Sequence, residues 1–204
     1  MTKKLIYIIR HGETELNRLG IVQGSGVDAA LNETGMAQAE KFYRFYKEFG
    51  FNKVITSALI RTHQSVANFI QDGVPHVVMN ELNEISWGDY EGLPQSKEQM
   101  QAYLGMLSRW ENGDLQAKIP NGESPLELQA RQEKVRHYLI NDPMEKVLIC
   151  MHGRAMKSFL CLLLNRPLTQ MEIFQHSNLC LYALQHVQNE FQLLQSNDVS
   201  HLEQ

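Results

Sequence analysis

Short apolar runs alternate with amphipathic stretches along this chain, and this alternation restricts its fold more than any other feature. Four runs are rich in β-branched residues and too short for helices, so they predict strands near residues 5–9, 53–57, 76–80 and 146–150. Helix-forming patterns occur at 33–49, from about 58, at 95–112, at 125–139 and at 153–164. Residues 179–187 and 190–195 alternate as a closing hairpin around Gln188 and Asn189. This order predicts an α/β fold with a doubly wound, mostly parallel sheet.

The composition is that of an ordinary globular chain with one core. At 204 residues, of which 43% are hydrophobic, the chain is long enough for a single domain, which we expect to span residues 1–204. The net charge of -4, with no Lys/Arg-rich run, gives no sign of a nucleic-acid surface. No stretch has the length of a signal-peptide core or a membrane span, so we expect a cytoplasmic protein. Three cysteines lie in apolar stretches and are expected to be reduced core residues: Cys150, Cys161 and Cys180.

Two of the predicted strands end in a histidine followed by a glycine. Arg10, His11 and Gly12 follow the first strand, and His152 and Gly153 follow the fourth. The carboxyl ends of parallel strands border the crevice in which ligands bind, and a glycine there lets a ligand approach the backbone. The alternative is that Arg10 only begins a solvated loop.

Further polar residues extend this group: Arg61 lies in the first turn of the helix predicted after the second strand, and Glu84 lies in the loop after the third. If the ends are aligned, Arg10, His11, Arg61, Glu84 and His152 face one crevice, which would be cationic with a single acid. Forked arginine donors suit a phosphoryl group, and an unprotonated histidine nitrogen can attack phosphorus. A carboxyl such as Glu84 can donate a proton to the leaving oxygen, and a second histidine can stabilise the phosphoryl charge.

Five sequence blocks in this order resemble the histidine phosphatase superfamily, also called the phosphoglycerate-mutase-like family: RHGETELN, SALIRTHQS, ELNEISWGDYEG, PNGES and CMHG. The resemblance covers almost the whole chain. It implies a three-layer α/β/α sandwich with a mostly parallel central sheet, and it implies no metal. We expect no cofactor.

The resemblance also implies a role for each matching residue. His11 corresponds to the phosphorylated nucleophile and Glu84 to the proton donor. The phosphate pocket corresponds to the remaining motif residues: Arg10, Asn17, Arg61, His152 and Gly153.

Several positions depart from the family pattern or match no block. Met151 and Arg154 replace residues common on either side of the second histidine and glycine, and Ala30 replaces a proline often found before Leu31. Arg154 either reaches a second anionic group on the substrate or is a solvated residue at a helix start. Four further residues are explained equally well by a pocket border or by loop packing, so we give them no site role: Trp87, Tyr90, His176 and Asn178.

The function expected from these residues is metal-independent hydrolysis of small-molecule phosphomonoesters through a phosphohistidine. A phosphoglycerate mutase would use the same pocket, but the loops here are compact, which favours the hydrolase. Retention of His11, Glu84 and both arginines argues against a non-catalytic phospholigand-binding module. A histidine-ligated metalloenzyme would need further ligands that the sequence does not supply. The identity of the phosphomonoester and the oligomeric state stay open at this point.

Overall fold

A six-stranded sheet forms the centre of the molecule. The computed structural model describes residues 3–94 and 96–203. Its strands are β1 (Lys4–Arg10), β2 (Lys53–Thr56), β3 (His76–Val78), β4 (Lys146–Met151), β5 (Leu181–Val187) and β6 (Glu190–Asp198). They lie in the order β3-β2-β4-β1-β5-β6, in which β1 to β4 run parallel and β5 and β6 each pair antiparallel with the preceding neighbour. The predicted mostly parallel sheet is therefore confirmed.

Helices flank this sheet close to their predicted positions. They are α1 (Glu15–Arg18), α2 (Glu33–Tyr46), α3 (Ile60–Ser65), α4 (Ala67–Gln71), α5 (Lys97–Glu111), α6 (Pro125–Asn141) and α7 (Gly153–Leu163). The helix predicted for 33–49 tightens into a 3₁₀ turn at Lys47 and stops at Gly50, whose φ of 77° is left-handed. The helix expected from about Ala58 begins at Ile60 and breaks in two at Val66. The predicted start of the next helix, Gln95, lies outside the described residues.

Apolar side chains on both faces of the sheet produce three layers. Successive residues of a strand point to opposite faces. Along β4, Val147 and Ile149 belong to a core cluster shared with α6 and α7, whereas Leu148 and Cys150 belong to a cluster shared with α2. Each face thus has its own helix-covered core, which is the predicted α/β/α sandwich.

Helix α6 begins at the PNGES block. The Ser124 hydroxyl accepts the backbone N–H of Glu127, and the Glu127 carboxylate accepts the N–H of Ser124, with Pro125 at the first helical position. This reciprocal cap satisfies two N–H groups that the first turn leaves without partners. It fixes the start of the helix whose Arg131 donates to the Glu84 carbonyl.

The end of the chain forms the predicted hairpin. Strands β5 and β6 pair around Gln188 and Asn189, whose φ values of 53° and 64° suit a two-residue turn. The three cysteines are free and buried, as expected. Within the described residues, no helix combines the length and apolar character needed to cross a membrane.

Candidate active site

Strands β1 and β4 bring two histidines together. Arg10 and Met151 are paired in the parallel register, so the next residue of each strand, His11 and His152, emerges at the same edge. The His11 N–H donates to the Met151 carbonyl at 3.0 Å, and the two imidazole centroids lie 5.2 Å apart. Both side chains are buried. The aligned strand ends predicted from the sequence are therefore present.

The His11 ring is held in one tautomer. Its Nδ1 lies 2.7 Å from the Gly12 carbonyl, which can only accept, so Nδ1 carries the hydrogen and Nε2 keeps its lone pair. Burial, followed by the charges of Arg10 and Arg61, lowers the pKa of His11 well below its ordinary value. A Cβ on Gly12 would lie 2.7 Å from the Gly35 carbonyl oxygen, so this approach requires glycine. The result is a neutral imidazole with a free nucleophilic nitrogen.

Arg10 and Arg61 differ in how many of their donors are occupied. Arg10 Nη1 donates to His176 Nδ1 at 3.2 Å, while its buried Nε has no hydrogen-bond partner within the described residues. Arg61 is fully buried and donates to the Val27 carbonyl at 2.7 Å, among other acceptors. Burial lowers the pKa of Arg61 to about 10, so it stays cationic at neutral pH. Arg10 thus lines the cavity, whereas Arg61 is a buried cation outside the cavity lining.

His152 is fixed by hydrogen bonds on both ring nitrogens. Arg61 Nε donates to His152 Nδ1 at 3.1 Å, so the ring hydrogen lies on Nε2. Nε2 then donates to the Ser57 hydroxyl at 2.8 Å. Burial and the charge of Arg61 lower the pKa of His152 well below its ordinary value. The ring is therefore neutral and held within the protein, and Ser57, which the sequence analysis did not select, is its second partner.

Glu84 binds the amino end of α7. Its Oε1 accepts the N–H of Ala155 at 2.7 Å and that of Ile85 at 2.9 Å, and its Oε2 accepts the N–H of Arg154 at 3.0 Å. The residue at the cap position, His152, makes no side-chain capping bond. Glu84 therefore supplies from a distant segment the acceptor and negative charge that a helix start favours.

Most of the predicted site residues line one cavity of about 160 Å³. Five of them line it: Arg10, His11, Asn17, Glu84 and Gly153. The other two, Arg61 and His152, are fully buried and lie outside this lining. Asn17 Oδ1 accepts from the Thr14 N–H and from Asn178, which leaves the Asn17 Nδ2 group to donate to a ligand.

Several residues of this cavity were not selected from the sequence. Trp87 and His176 had been left without a role and Arg154 with two alternatives, and the remaining residues are Ile21, Val22, Gln23 and Tyr103. Burial, followed by the charge of Arg10, lowers the pKa of His176 to about 3, so its ring accepts from Arg10 as a neutral group. A Cβ at Gly153 would lie 2.9 Å from the His176 ring. The position of His176 just before the strand that pairs with β1 was the available signal.

Arg154 is neither solvated nor free. It is 7% exposed, its guanidinium pairs with Glu172, and it donates to the Tyr103 hydroxyl at 3.2 Å. Its charge lies over the indoles of Trp110, at 5.7 Å, and Trp87, at 6.0 Å. The solvated alternative is therefore wrong. Arg154 is a fixed part of the cavity wall.

The charges around this cavity sum to a positive value. Two arginines in its lining, Arg10 and Arg154, stand against one carboxylate, Glu84. An excess of positive charge in a buried setting attracts a dianion such as a phosphate monoester. No group of three or more His, Cys, Asp and Glu side chains that could hold a metal ion occurs within residues 3–94 and 96–203.

Comparison with known proteins places this chain in one family. The model of the histidine phosphatase superfamily (branch 1) matches residues 6–199. The chain therefore belongs to the histidine phosphatase superfamily. A solved structure, the alpha-ribazole phosphatase from Shigella flexneri, superimposes with a TM-score of 0.82 at 27% identity, covering 95% of this chain and 96% of that one.

Two curated relatives are 31% and 33% identical to this chain over the matched residues. Fructose-2,6-bisphosphatase TIGAR of Xenopus tropicalis is 31% identical over 152 residues, which cover 72% of this chain and 53% of that protein. The match thus spans about half the length of that relative. A probable phosphoglycerate mutase, GpmB of Yersinia pestis, is 33% identical over 168 residues, covering 79% of this chain and 75% of that protein.

Proposed function

We propose that this protein hydrolyses small-molecule phosphomonoesters by transferring the phosphoryl group first to His11 Nε2 and then to water. The observation that carries the proposal is the 2.7 Å contact between His11 Nδ1 and the Gly12 carbonyl. It leaves an unprotonated Nε2 on a neutral ring at the wall of a cationic cavity. Such a nitrogen is a suitable nucleophile toward phosphorus.

Phosphate binding is assigned to the donors around His11. Arg10 lines the cavity as a cation, Asn17 contributes Nδ2, and Gly153 lies at the amino end of α7, where N–H groups favour anions. Arg61 adds its charge and holds the second histidine. His152 is assigned to stabilise the phosphoryl charge, and because its Nε2 donates to Ser57, this role requires that hydrogen bond to be exchanged for one to phosphate.

Glu84 is assigned as the general acid and then the general base. A carboxylate offers about four acceptor positions, and backbone N–H groups fill two on Oε1 and one on Oε2. Oε2 thus keeps one position that can carry the proton without breaking a contact. From there the proton passes to the leaving oxygen, and the carboxylate next takes one from the attacking water.

The alcohol part of the substrate is assigned to the remaining wall of the cavity. Ile21, Val22, Trp87 and Tyr103 line that wall, so it offers apolar surface with one hydroxyl. The relatives include both a bisphosphatase and a probable mutase. A mutase also forms a phosphohistidine and differs only in what removes the phosphoryl group. Because this chain is similar to GpmB, a mutase is the second candidate function.

The test combines a substrate panel with trapping of the phosphoenzyme. The chain is incubated in chelator with a series of phosphomonoesters, and released phosphate is measured. Rapid acid-free quenching with labelled substrate then reports a phosphohistidine, which is stable in base and labile in acid. His11→Ala abolishes both signals, and His137→Ala, a change at an exposed position on α6, preserves them. Acid-labile phosphate on the His11→Ala protein would show that another residue is the nucleophile.

A further inference from the structure

Arg131 on α6 contacts the backbone of the segment that carries Glu84. Its Nη1 donates to the Glu81 carbonyl at 2.6 Å, and the two N–H groups of Nη2 are shared among the carbonyls of Asn83 at 2.9 Å and Glu84 at 3.0 Å and the Glu123 carboxylate. One guanidinium therefore binds three carbonyls of the short segment 81–84. Within residues 3–94 and 96–203, those carbonyls accept from no backbone N–H outside the helices and strands.

Glu123 of the PNGES block holds the same guanidinium in place. Its two carboxylate oxygens accept from Arg131 Nε at 2.7 Å and Nη2 at 2.9 Å, in the paired geometry that arginine forms with carboxylates. The side chains of this pair are 22% and 18% exposed. Arg131 is thus a fixed group and not a mobile surface arginine.

Glu84 is consequently anchored at both ends. Its carbonyl oxygen is bound by Arg131, and its carboxylate is bound by the N–H groups of Arg154 and Ala155. The carboxylate lies at the wall of the cavity that holds His11. The direction in which Glu84 can present a proton therefore depends on the backbone anchor as well as on the helix.

We infer that Arg131 is a positioning residue that sets the orientation of Glu84 for proton transfer. The inference rests on the proposed function, in which Glu84 protonates the leaving oxygen. Loss of Arg131 leaves three carbonyls without their donor and lets the segment shift. A displacement of about 1 Å in a catalytic group can cost on the order of 100-fold in rate. Lysine cannot replace the planar fork, because its ammonium is a single point of contact.

The experiment measures kcat/KM for alkyl phosphates and for activated aryl phosphates in three variants. Arg131→Met is expected to slow alkyl phosphates by about 10- to 100-fold and p-nitrophenyl phosphate much less, because only poor leaving groups need the proton. The kcat/KM of Arg131→Lys for alkyl phosphates is expected to lie between that of Arg131→Met and that of the unchanged protein. Arg136→Met is the matched control, because Arg136 lies on the same helix and forms an ion pair with Glu133, three residues earlier. This control should leave kcat/KM unchanged for both alkyl and activated aryl phosphates.

A double variant separates positioning from general stabilisation. In a Glu84→Gln background, Arg131→Met should cause little further loss, because the group it positions is already absent. An equal loss on both substrate classes, or the same loss with Glu84→Gln as without it, would overturn the inference. Should Arg131→Met fail to fold, Glu123→Gln loosens the guanidinium and must show the same leaving-group pattern at smaller size. Absence of phosphate release by the unchanged protein would instead refute the proposed function.

Discussion

Glu84 Oε1 lies 2.7 Å from the backbone nitrogen of Ala155, so the proposed general acid is also the cap of helix α7. The two functions use the same carboxylate. Because the cap position itself has no side-chain acceptor, the helix depends on this remote contact.

Replacement of Glu84 by glutamine tests both functions at once. A glutamine amide has one acceptor oxygen, so one of the N–H groups of Arg154 and Ala155 loses its partner, and the free energy of unfolding should fall by about 1 kcal/mol. The same change removes the transferable proton, so alkyl phosphates should slow by about 100-fold or more. Urea unfolding and leaving-group kinetics measure the two effects. Equal slowing of alkyl and activated aryl phosphates would remove Glu84 from the general-acid role.

Gly153→Ala should disturb the cavity through His176. The added methyl would lie 2.9 Å from the His176 ring, so the ring must move and lose its contact with Arg10. Overpacking of this kind costs about 1–3 kcal/mol, and we expect kcat/KM to fall by about 10-fold, which is less than the roughly 100-fold that a 1 Å displacement of a catalytic group can cost. In a His176→Ala background the methyl has room and should cost little. The four variants form a double-mutant cycle, in which additive effects would contradict the proposed contact.

Stability should decline as the pH falls below about 6.5. The pKa values of His11, His152 and His176 are lowered in the folded protein, that of His176 to about 3, whereas unfolded histidines titrate near 6.5. Between these values the unfolded chain binds protons that the folded chain does not, so acid favours unfolding, and above pH 7 these groups have no effect. Each contributes up to about 1.4 kcal/mol per pH unit to the slope. Urea unfolding between pH 7 and 5 should show a shallower slope for His176→Gln. Parallel curves would contradict the lowered pKa.

A paired assay on 3-phosphoglycerate separates the two candidate enzymes. A mutase must exclude water while its product reorients in the site. The chain passes from α1 to α2 through residues 19–32 without a further helix, so this segment supplies no helical lid over His11. We expect free phosphate to appear faster than 2-phosphoglycerate, with or without bisphosphoglycerate. Rapid isomerisation with little phosphate released would favour the mutase.

Much of the fold and the central part of the site follow from local sequence signals. The apolar runs around Ile8 and Ile149 predict strands buried on both faces, and both became neighbouring strands of the sheet. Since the carboxyl ends of parallel strands share one edge, the meeting of His11 and His152 follows directly. The roles given to these residues stay predictions until the variants are measured.

The rest of the cavity depends on packing between distant segments, which no local pattern encodes. Arg154 meets Trp87 and Trp110 because α5 and the segment after Glu84 both lie against the start of α7. In the sequence Arg131 is one arginine of a predicted helix, and only the structure shows that it donates to three backbone carbonyls. Both side chains contact groups far away in the sequence, which for Arg154 are side chains and for Arg131 are mainly backbone carbonyls.

The place of β4 in the sheet has a consequence for the synthesis of this protein. Strand β4 lies between β1 and β2, which are made long before it, and it brings His152 to the site. While a ribosome is still adding residues before Lys146, the nascent chain has His11 and Arg61 but no central strand to hold them in register. The cavity at this sheet edge therefore forms only after most of the chain has been translated, so under the proposed function phosphate affinity would appear only once β4 is in place.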